Sequence, residues 1–264
     1  MSRSCLLIGF IFSTLSPTQA DETEDLLRYY ETFDHQKIEK SIKSFLNAKT
    51  VDEKLKYVRD PKRVGPLMKA YYAKTGYQPE GFEDVREKEL SFNERYATTS
   101  VFTGDFSDRV ITVRRSIVKG ADTYRVDWES WMGYGEKTPA EMRKEKPTTP
   151  FVLRVILMGD DYYNYHFSDP EKWLSFRLDV GNEREFFYGY IAKDSQLYKQ
   201  VTEEMAWPWT EFLVVKVAYP KNARSQRQVE ITEIIESEDW ILKPELKKEK
   251  VQPPPAKEKQ PADQ

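Results

Sequence analysis

"FVLRVILMGDDYYNYHF", Phe151–Phe167, decides how the second half of the chain is read. Its opening, Phe151 to Met158, is a run of β-branched, aliphatic and aromatic residues of strand composition. Continued as a strand through "DDYYNYHF", it puts Tyr163, Tyr165 and Phe167 on one side and Tyr162, Asn164 and His166 on the other. Asp169-Pro170 then marks an exit turn. Two functional residue types concentrate here. His166 is one of two histidines in the chain, and Tyr162 and Tyr165 are candidate binding aromatics.

Working outward, "KWLSFRL", "REFFYGYIA", a helix at 195–205 begun by Asp194-Ser195, "EFLVVKVAY" and "QVEITEIIESEDWIL" follow. The order strand, strand, strand, helix, strand, strand is that of a small five-stranded Greek-key barrel of the OB type; a small α+β sheet is the alternative. This β domain is expected over 151–242. Before it, "EKTPAEMRKEKPTTP", 136–150, is polar and punctuated by proline, and reads as a linker with one helical turn.

The segment 21–135 predicts helices followed by antiparallel strands. From Leu26 to Lys49 apolar residues recur every three or four positions, among them Leu27, Tyr30, Ile38, Ile42, Phe45 and Leu46. His35 falls on this helix and reads as a surface histidine rather than a ligand. Thr50-x-x-Glu53 is a capping-box pattern, and Asp60-Pro61 starts a third helix with Asp60 as N-cap. Val64, Leu67, Met68, Tyr71 and Tyr72 form its buried stripe, with Gly76 suited to its C-terminus. The period then drops to two. "ELSFNERYATTSVF", "SDRVITVRRSIV" and "DTYRVDWESWM" predict meander strands, the last with Trp128 and Ser130 on one face and Asp127, Glu129 and Trp131 on the other. The fold class is therefore α+β: helices on a curved antiparallel sheet, then an OB-like or α+β domain.

The ends carry a different message. In "MSRSCLLIGFIFSTLSPTQA", 1–20, Arg3 precedes an apolar run from Cys5 to Phe12, and Thr18-Gln19-Ala20 precedes Asp21. This is the pattern of a signal peptide cleaved between Ala20 and Asp21. Export to the periplasm or medium is expected, with tethering by an uncleaved N-terminal anchor as the alternative. The apolar run is well short of the roughly 20 residues that span a bilayer, so no stable transmembrane segment is expected after cleavage. Cys5 is the single cysteine, which leaves a mature chain without disulfides, thiolate nucleophiles or cysteine-ligated zinc. From Lys243 onward, "KPELKKEKVQPPPAKEKQPADQ" lacks apolar content to offset its ordering entropy, and 243–264 is expected to be a disordered tail.

Composition excludes some classes of function. The formal charge is −3 with acids and bases interleaved, so no basic stripe suits a phosphate backbone and nucleic acid is not an expected partner. No G-x-S-x-G, S-x-x-K, H-E-x-x-H or Walker-type motif occurs. No metal and no cofactor are expected, since Asp160 and Asp161 lie about 25–30 Å from Asp169 if the strand is extended at roughly 3.3 Å per residue. What remains for catalysis is His166 or a carboxylate pair such as Asp127 and Glu129. For binding, the candidates are Tyr162, Tyr165 and the loop indoles Trp207 and Trp209, which flank Pro208 in "MAWPWTEF" and suit a sugar ring, a partner groove or a lipid interface.

"FLNAKTVDEKLKYVRDPKRVGPLMKAYY", 45–72, with "DDYYNYHFSD", "FFYGYIA" and "QVEITEIIESEDWIL", resembles a group of exported bacterial proteins over most of the chain. The resemblance brings no activity, cofactor or site residue with it. Helices followed by a curved sheet at 26–132 are more loosely similar to the NTF2-like (cystatin-related) fold, which hosts enzymes, binders and assembly modules alike. The functional expectation is a non-enzymatic binding or assembly module of the bacterial envelope with a protein or glycan partner. The competing expectation is an envelope hydrolase acting on glycan or ester substrates through His166 or a carboxylate pair.

Overall fold

A computed structural model of the chain describes residues 34–85, 91–93, 96–103, 108–118, 121–181, 185–204, 210–237 and 240–242. The chain divides between Tyr134 and Gly135 into two compact units, each with its own apolar core. Both helices and two sheets are present, so the fold is mixed α+β. The cleavage site expected at Ala20 and Asp21, the tail expected from Lys243 and the indoles Trp207 and Trp209 lie outside the described residues.

In the first unit, α1 (His35–Leu46) begins at Asp34, whose carboxylate accepts from the Lys37 amide at 3.0 Å. Its stripe Ile38, Ile42, Phe45 and Leu46 is buried, as the three- and four-residue spacing predicts. Ser41 Oγ ties the helix to the sheet by donating to the Tyr124 carbonyl at 2.7 Å. Thr50 caps α2 (Val51–Leu55), but the Glu53 carboxylate reaches back to the Lys49 amide, one residue beyond the one a capping box uses. In α3 (Pro61–Thr75) the N-cap residue Asp60 has φ 47° and makes no side-chain cap; its carboxylate accepts from Arg63 Nε at 3.0 Å instead. Of the predicted stripe, Val64 and Met68 are buried, while Leu67, Tyr71 and Tyr72 are half-buried.

Strands β1 (Asp84–Val85), β2 (Ser91–Asn93), β3 (Tyr96–Phe102), β4 (Asp108–Val118) and β5 (Ala121–Val126) form an antiparallel sheet in the order β1-β3-β4-β5, with β2 also on β3. The predicted third strand ends early. Val126 is bracketed by Tyr57 and Arg59 through backbone bonds of 2.7 and 2.8 Å, and Asp127 then caps a helical turn, α4 (Trp128–Met132), by accepting from the Ser130 amide. Burial explains the change. A strand would place Trp128 and Trp131 on opposite faces, whereas a helix puts residues three apart on one face, and both indoles are buried.

A buried ion pair sits in this unit's core. Lys54 is wholly buried, with its ammonium on the Glu80 carboxylate and 4.2 Å from the Phe45 ring centroid. Glu80 also accepts from Trp131 Nε1 at 3.2 Å.

In the second unit the expected linker is structured. Thr138 and Glu141 form a full capping box at the start of α5 (Pro139–Glu145), Met142 is buried, and the Glu136 carboxylate accepts from the Val152 amide at 2.8 Å. Residues 136–150 therefore pack as part of this unit rather than as a free hinge.

Strands β6 (Phe151–Gly159), β7 (Trp173–Val180), β8 (Glu185–Ala192), β9 (Thr210–Ala218) and β10 (Gln228–Glu236) form one sheet, with α6 (Gln196–Glu204) between β8 and β9. Pairing runs β6-β7-β8-β10-β9 and returns to β6, so each of the five strands has a paired neighbour on both sides along part of its length. All pairings are antiparallel except β8 with β10, which is parallel and spans Tyr188–Tyr190 against Gln228–Glu230. Leu153, Val155, Leu157, Phe176, Leu178, Phe187, Leu213, Val215 and Val229 fill the interior. Gly189 gives the neighbouring side chains room there: a Cβ would lie 2.7 Å from Leu178 Cδ1 and 2.9 Å from Ile231 Cδ1, so those side chains would have to shift.

The opening stretch is half strand, half loop. β6 stops at Gly159, and "DDYYNYHF" becomes an irregular segment ending in a 3₁₀ turn at Tyr165–Phe167. Local side-chain bonds drive this. Asp160 accepts from the Tyr162 amide at 2.9 Å and Asn164 from the Tyr165 amide at 2.7 Å, placing Tyr165 at φ 50°. The two-faced alternation of Tyr162 to Phe167 does not exist; only Phe167 is buried.

Candidate functional site

Alternation along β7 and β8 sends Phe176, Leu178 and Phe187 inward and puts Arg177, Phe186 and Tyr188, half-buried, with the buried Asp179 on the opposite face. The register sets Arg177 opposite Tyr188 and Asp179 opposite Phe186. Arg227, just before β10, joins them because its carbonyl accepts from the Tyr188 amide at 2.7 Å.

The result is a continuous strip of rings and guanidinium groups. Phe186 carries Arg177 at 4.8 Å and Arg227 at 4.6 Å from its centroid. Its ring meets Tyr188 edge-on at 5.6 Å, and Tyr188 stacks on Tyr162 at 4.2 Å with 24° between the planes. Arg177 Nε donates to Asp179 at 2.9 Å. At the strip's edge Arg143 donates through both Nη atoms to Glu185, and that bond, chiefly, holds the Glu185 carboxyl below its ordinary value.

The segment 160–167 is pinned over the same sheet by a buried polar network. Tyr190 Oη and Ser175 Oγ both donate to the Tyr162 carbonyl, at 2.8 and 3.1 Å. Gln228 Nε2 donates to Tyr190 Oη at 2.8 Å and to the Asn164 carbonyl at 3.1 Å. Phe167 lies flat on Tyr190, centroids 4.0 Å apart at 4°. Burial pushes the Tyr190 hydroxyl up to about 12, against the hydrogen bonds it makes. Tyr162 therefore stands on a fixed base.

The predicted residues divide sharply. Tyr162 belongs to the strip. Tyr165 is 51% exposed at a backbone conformation that side chains rarely adopt, at the tip of the same loop. His166 is exposed, its ring T-shaped to that of Phe167 at 5.3 Å, and burial raises the Glu230 carboxyl. Asp160, Asp161, His166 and Asp169 do not converge: Asp160 and Asp169 each cap a local turn, and no group of three metal-ligating side chains occurs among the described residues.

Asp127 and Glu129 lie in the first unit and are not a solvated strand face. Both are buried, Asp127 on Arg59 at 3.2 Å and Glu129 on Arg63, whose guanidinium is held even more firmly protonated by that bond. Each carboxylate is thus engaged by an arginine rather than facing an open cleft.

Phe186, Tyr188, Arg177 and Arg227 were not among the residues singled out from sequence. The signal for three of them was in plain view, as the outward positions of "SFRLDV" and "EFFYGY". No local pattern points to Arg227, which arrives through the parallel pairing of β8 with β10. Comparison of the chain with protein-family models, with curated proteins and with solved structures finds no match.

Proposed function

We propose that the protein is an exported, non-enzymatic binding module of the cell envelope, and that the strip Tyr162, Tyr188, Phe186, Arg177 and Arg227 is its working surface. The observation that carries this reading is the strip itself. Rings and guanidinium groups packed in series across two strands and a pinned loop form a partly exposed surface of the composition that dominates binding hot spots. An OB-like assignment for the second unit is supported by the pairing order, by α6 between the third and fourth strands, and by the parallel closure. In that architecture the second and third strands, here β7 and β8, carry ligands. An NTF2-like reading of the first unit rests on helices preceding an antiparallel sheet. Export, to the periplasm or beyond, is supported by the pattern of residues 1–21. The occupant is a protein or glycan partner.

The competing reading, an envelope hydrolase, has less behind it. The Asp127 and Glu129 carboxylates are each committed to an arginine, and no described carboxylate orients His166 by a hydrogen bond.

The test is site-specific photo-cross-linking in the producing cell, with Tyr188 replaced by benzoylphenylalanine and a control replacement at exposed Thr202 on α6. A discrete adduct from position 188 and none from 202 is expected. Equal labelling from both, or none from either, removes the strip as the working surface.

A further inference from the structure

The two arginines on Phe186 are not equivalent. Arg177 already neutralises Asp179, and the other described acid of the strip, Glu185, is held by Arg143. Arg227 is exposed and forms no ion pair with a described carboxylate; it lies over Phe186 and acts on Glu185 only by an attraction weaker than the Arg143 bond. Among Arg143, Arg177, Arg227, Asp179 and Glu185, one positive charge is left over, and it belongs to Arg227.

The way this charge is held matters. The Arg227 guanidinium carbon lies 4.6 Å from the Phe186 centroid, and a cation held over one ring face keeps an N–H edge available to a ligand. That edge is a planar fork of donors matched to the two oxygens of a carboxylate or sulfate. An ordinary surface arginine loses side-chain entropy to adopt such a pose; here Phe186 has already ordered it. Along the strip, Tyr188 and Tyr162 supply ring surface, which suits the C–H face of a pyranose, and their hydroxyls supply polar edges.

We infer that the ligand of this surface is an acidic glycan, with a carboxylate or sulfate oxyanion seated on Arg227 and a sugar ring against Tyr162 and Tyr188. This inference rests on the reading of the strip as the working surface. It adds the charge and chemical class of the ligand.

The experiment uses the full chain and matched probes differing in charge alone: oligogalacturonate against its methyl ester, and dextran sulfate against dextran. Polyglutamate and phosphatidylglycerol vesicles serve as other sources of anion. At least one acidic glycan is expected to bind tenfold or more tightly than its neutral partner, with affinity falling as salt rises. Arg227→Gln should weaken that binding at least tenfold, and Lys199→Gln, an equal loss of charge on exposed α6, less than twofold. Equal binding of charged and neutral glycans overturns the inference, as does insensitivity to Arg227→Gln. So does binding of polyglutamate or vesicles without any glycan, or binding of no probe. If the inference fails while Tyr188 still cross-links a partner, the strip survives as the working surface and only the ligand class is wrong. If neither occurs, both readings fall.

Discussion

Glu80→Gln is a stringent test of how the first unit is held together. Lys54 is wholly buried and the Glu80 side chain is 15% exposed, so the pair lies in an environment that screens charge poorly. The amide keeps an oxygen for Trp131 Nε1 and leaves the shape almost unchanged. What it removes is the negative charge facing a buried ammonium, and breaking such a pair costs about 3–5 kcal/mol. The Phe45 face at 4.2 Å offsets a part, so the expected loss is about 3 kcal/mol. The companion variant Lys54→Met with Glu80→Gln removes both charges while preserving volume, and should lie within about 1 kcal/mol of the parent. Hydrogen exchange followed by mass spectrometry on peptides covering α1 gives the answer. At 1.36 kcal/mol per decade, the single variant should exchange roughly a hundredfold faster and the double variant under tenfold faster. A single variant exchanging less than about fivefold faster, or a double variant no slower than the single, would refute the reasoning.

Other perturbations address the second unit. Gly189→Ala forces a methyl group against Leu178 and Ile231, and should cost about 1–3 kcal/mol, seen as a lower urea midpoint with an unchanged slope. Phe167→Ala removes the ring stacked on Tyr190 and should make 160–167 the first site of limited proteolysis; unchanged resistance there would show that the polar network alone pins the loop. Burial raises the Tyr190 and Tyr77 hydroxyls from 10.0 to about 12, so between those values the folded chain keeps protons that the unfolded chain has lost. Their contribution to stability is thus complete below pH 10 and disappears as pH rises through about 12. Tyrosinate absorbance and circular dichroism on one sample check this: full titration near pH 10 with the fold intact would contradict the burial argument.

Much of the α+β organisation is legible in the sequence, because the period of apolar residues is set by the core. Ile38, Ile42, Phe45 and Leu46 repeat at helical spacing and are buried, and "WLSFRLDV" alternates and buries Phe176 and Leu178. Where side chains compete for the backbone, periodicity misleads. Asp127, Asp160 and Asn164 each accept an amide a few residues on, converting strand-like runs into a helical turn and a looped cover. The carboxylates Asp127 and Glu129 looked like strand-face charges only because the arginines that hold them, Arg59 and Arg63, come from the region of α3. The site was half visible for the same reason. Local alternation displays Phe186 and Tyr188, but the neighbour that completes them is brought by non-local pairing.

The parallel seam between β8 and β10 gives the surface an order of assembly. Three residues on each strand make the closure, and α6 and β9 must be traversed before the partner arrives. Non-local contacts of this kind form late, after the entropy of the intervening chain has been lost. Gln228 reaches Tyr190, and Arg227 reaches Phe186, in the same event. A newly made chain can thus possess every strand of the second unit and still lack the surface, while the unsealed flanks of β8 and β10 lie open to a neighbouring molecule. A ligand that bridges Arg227 to β8 would act as a clasp on the seam, making recognition and quality control two readings of one closure.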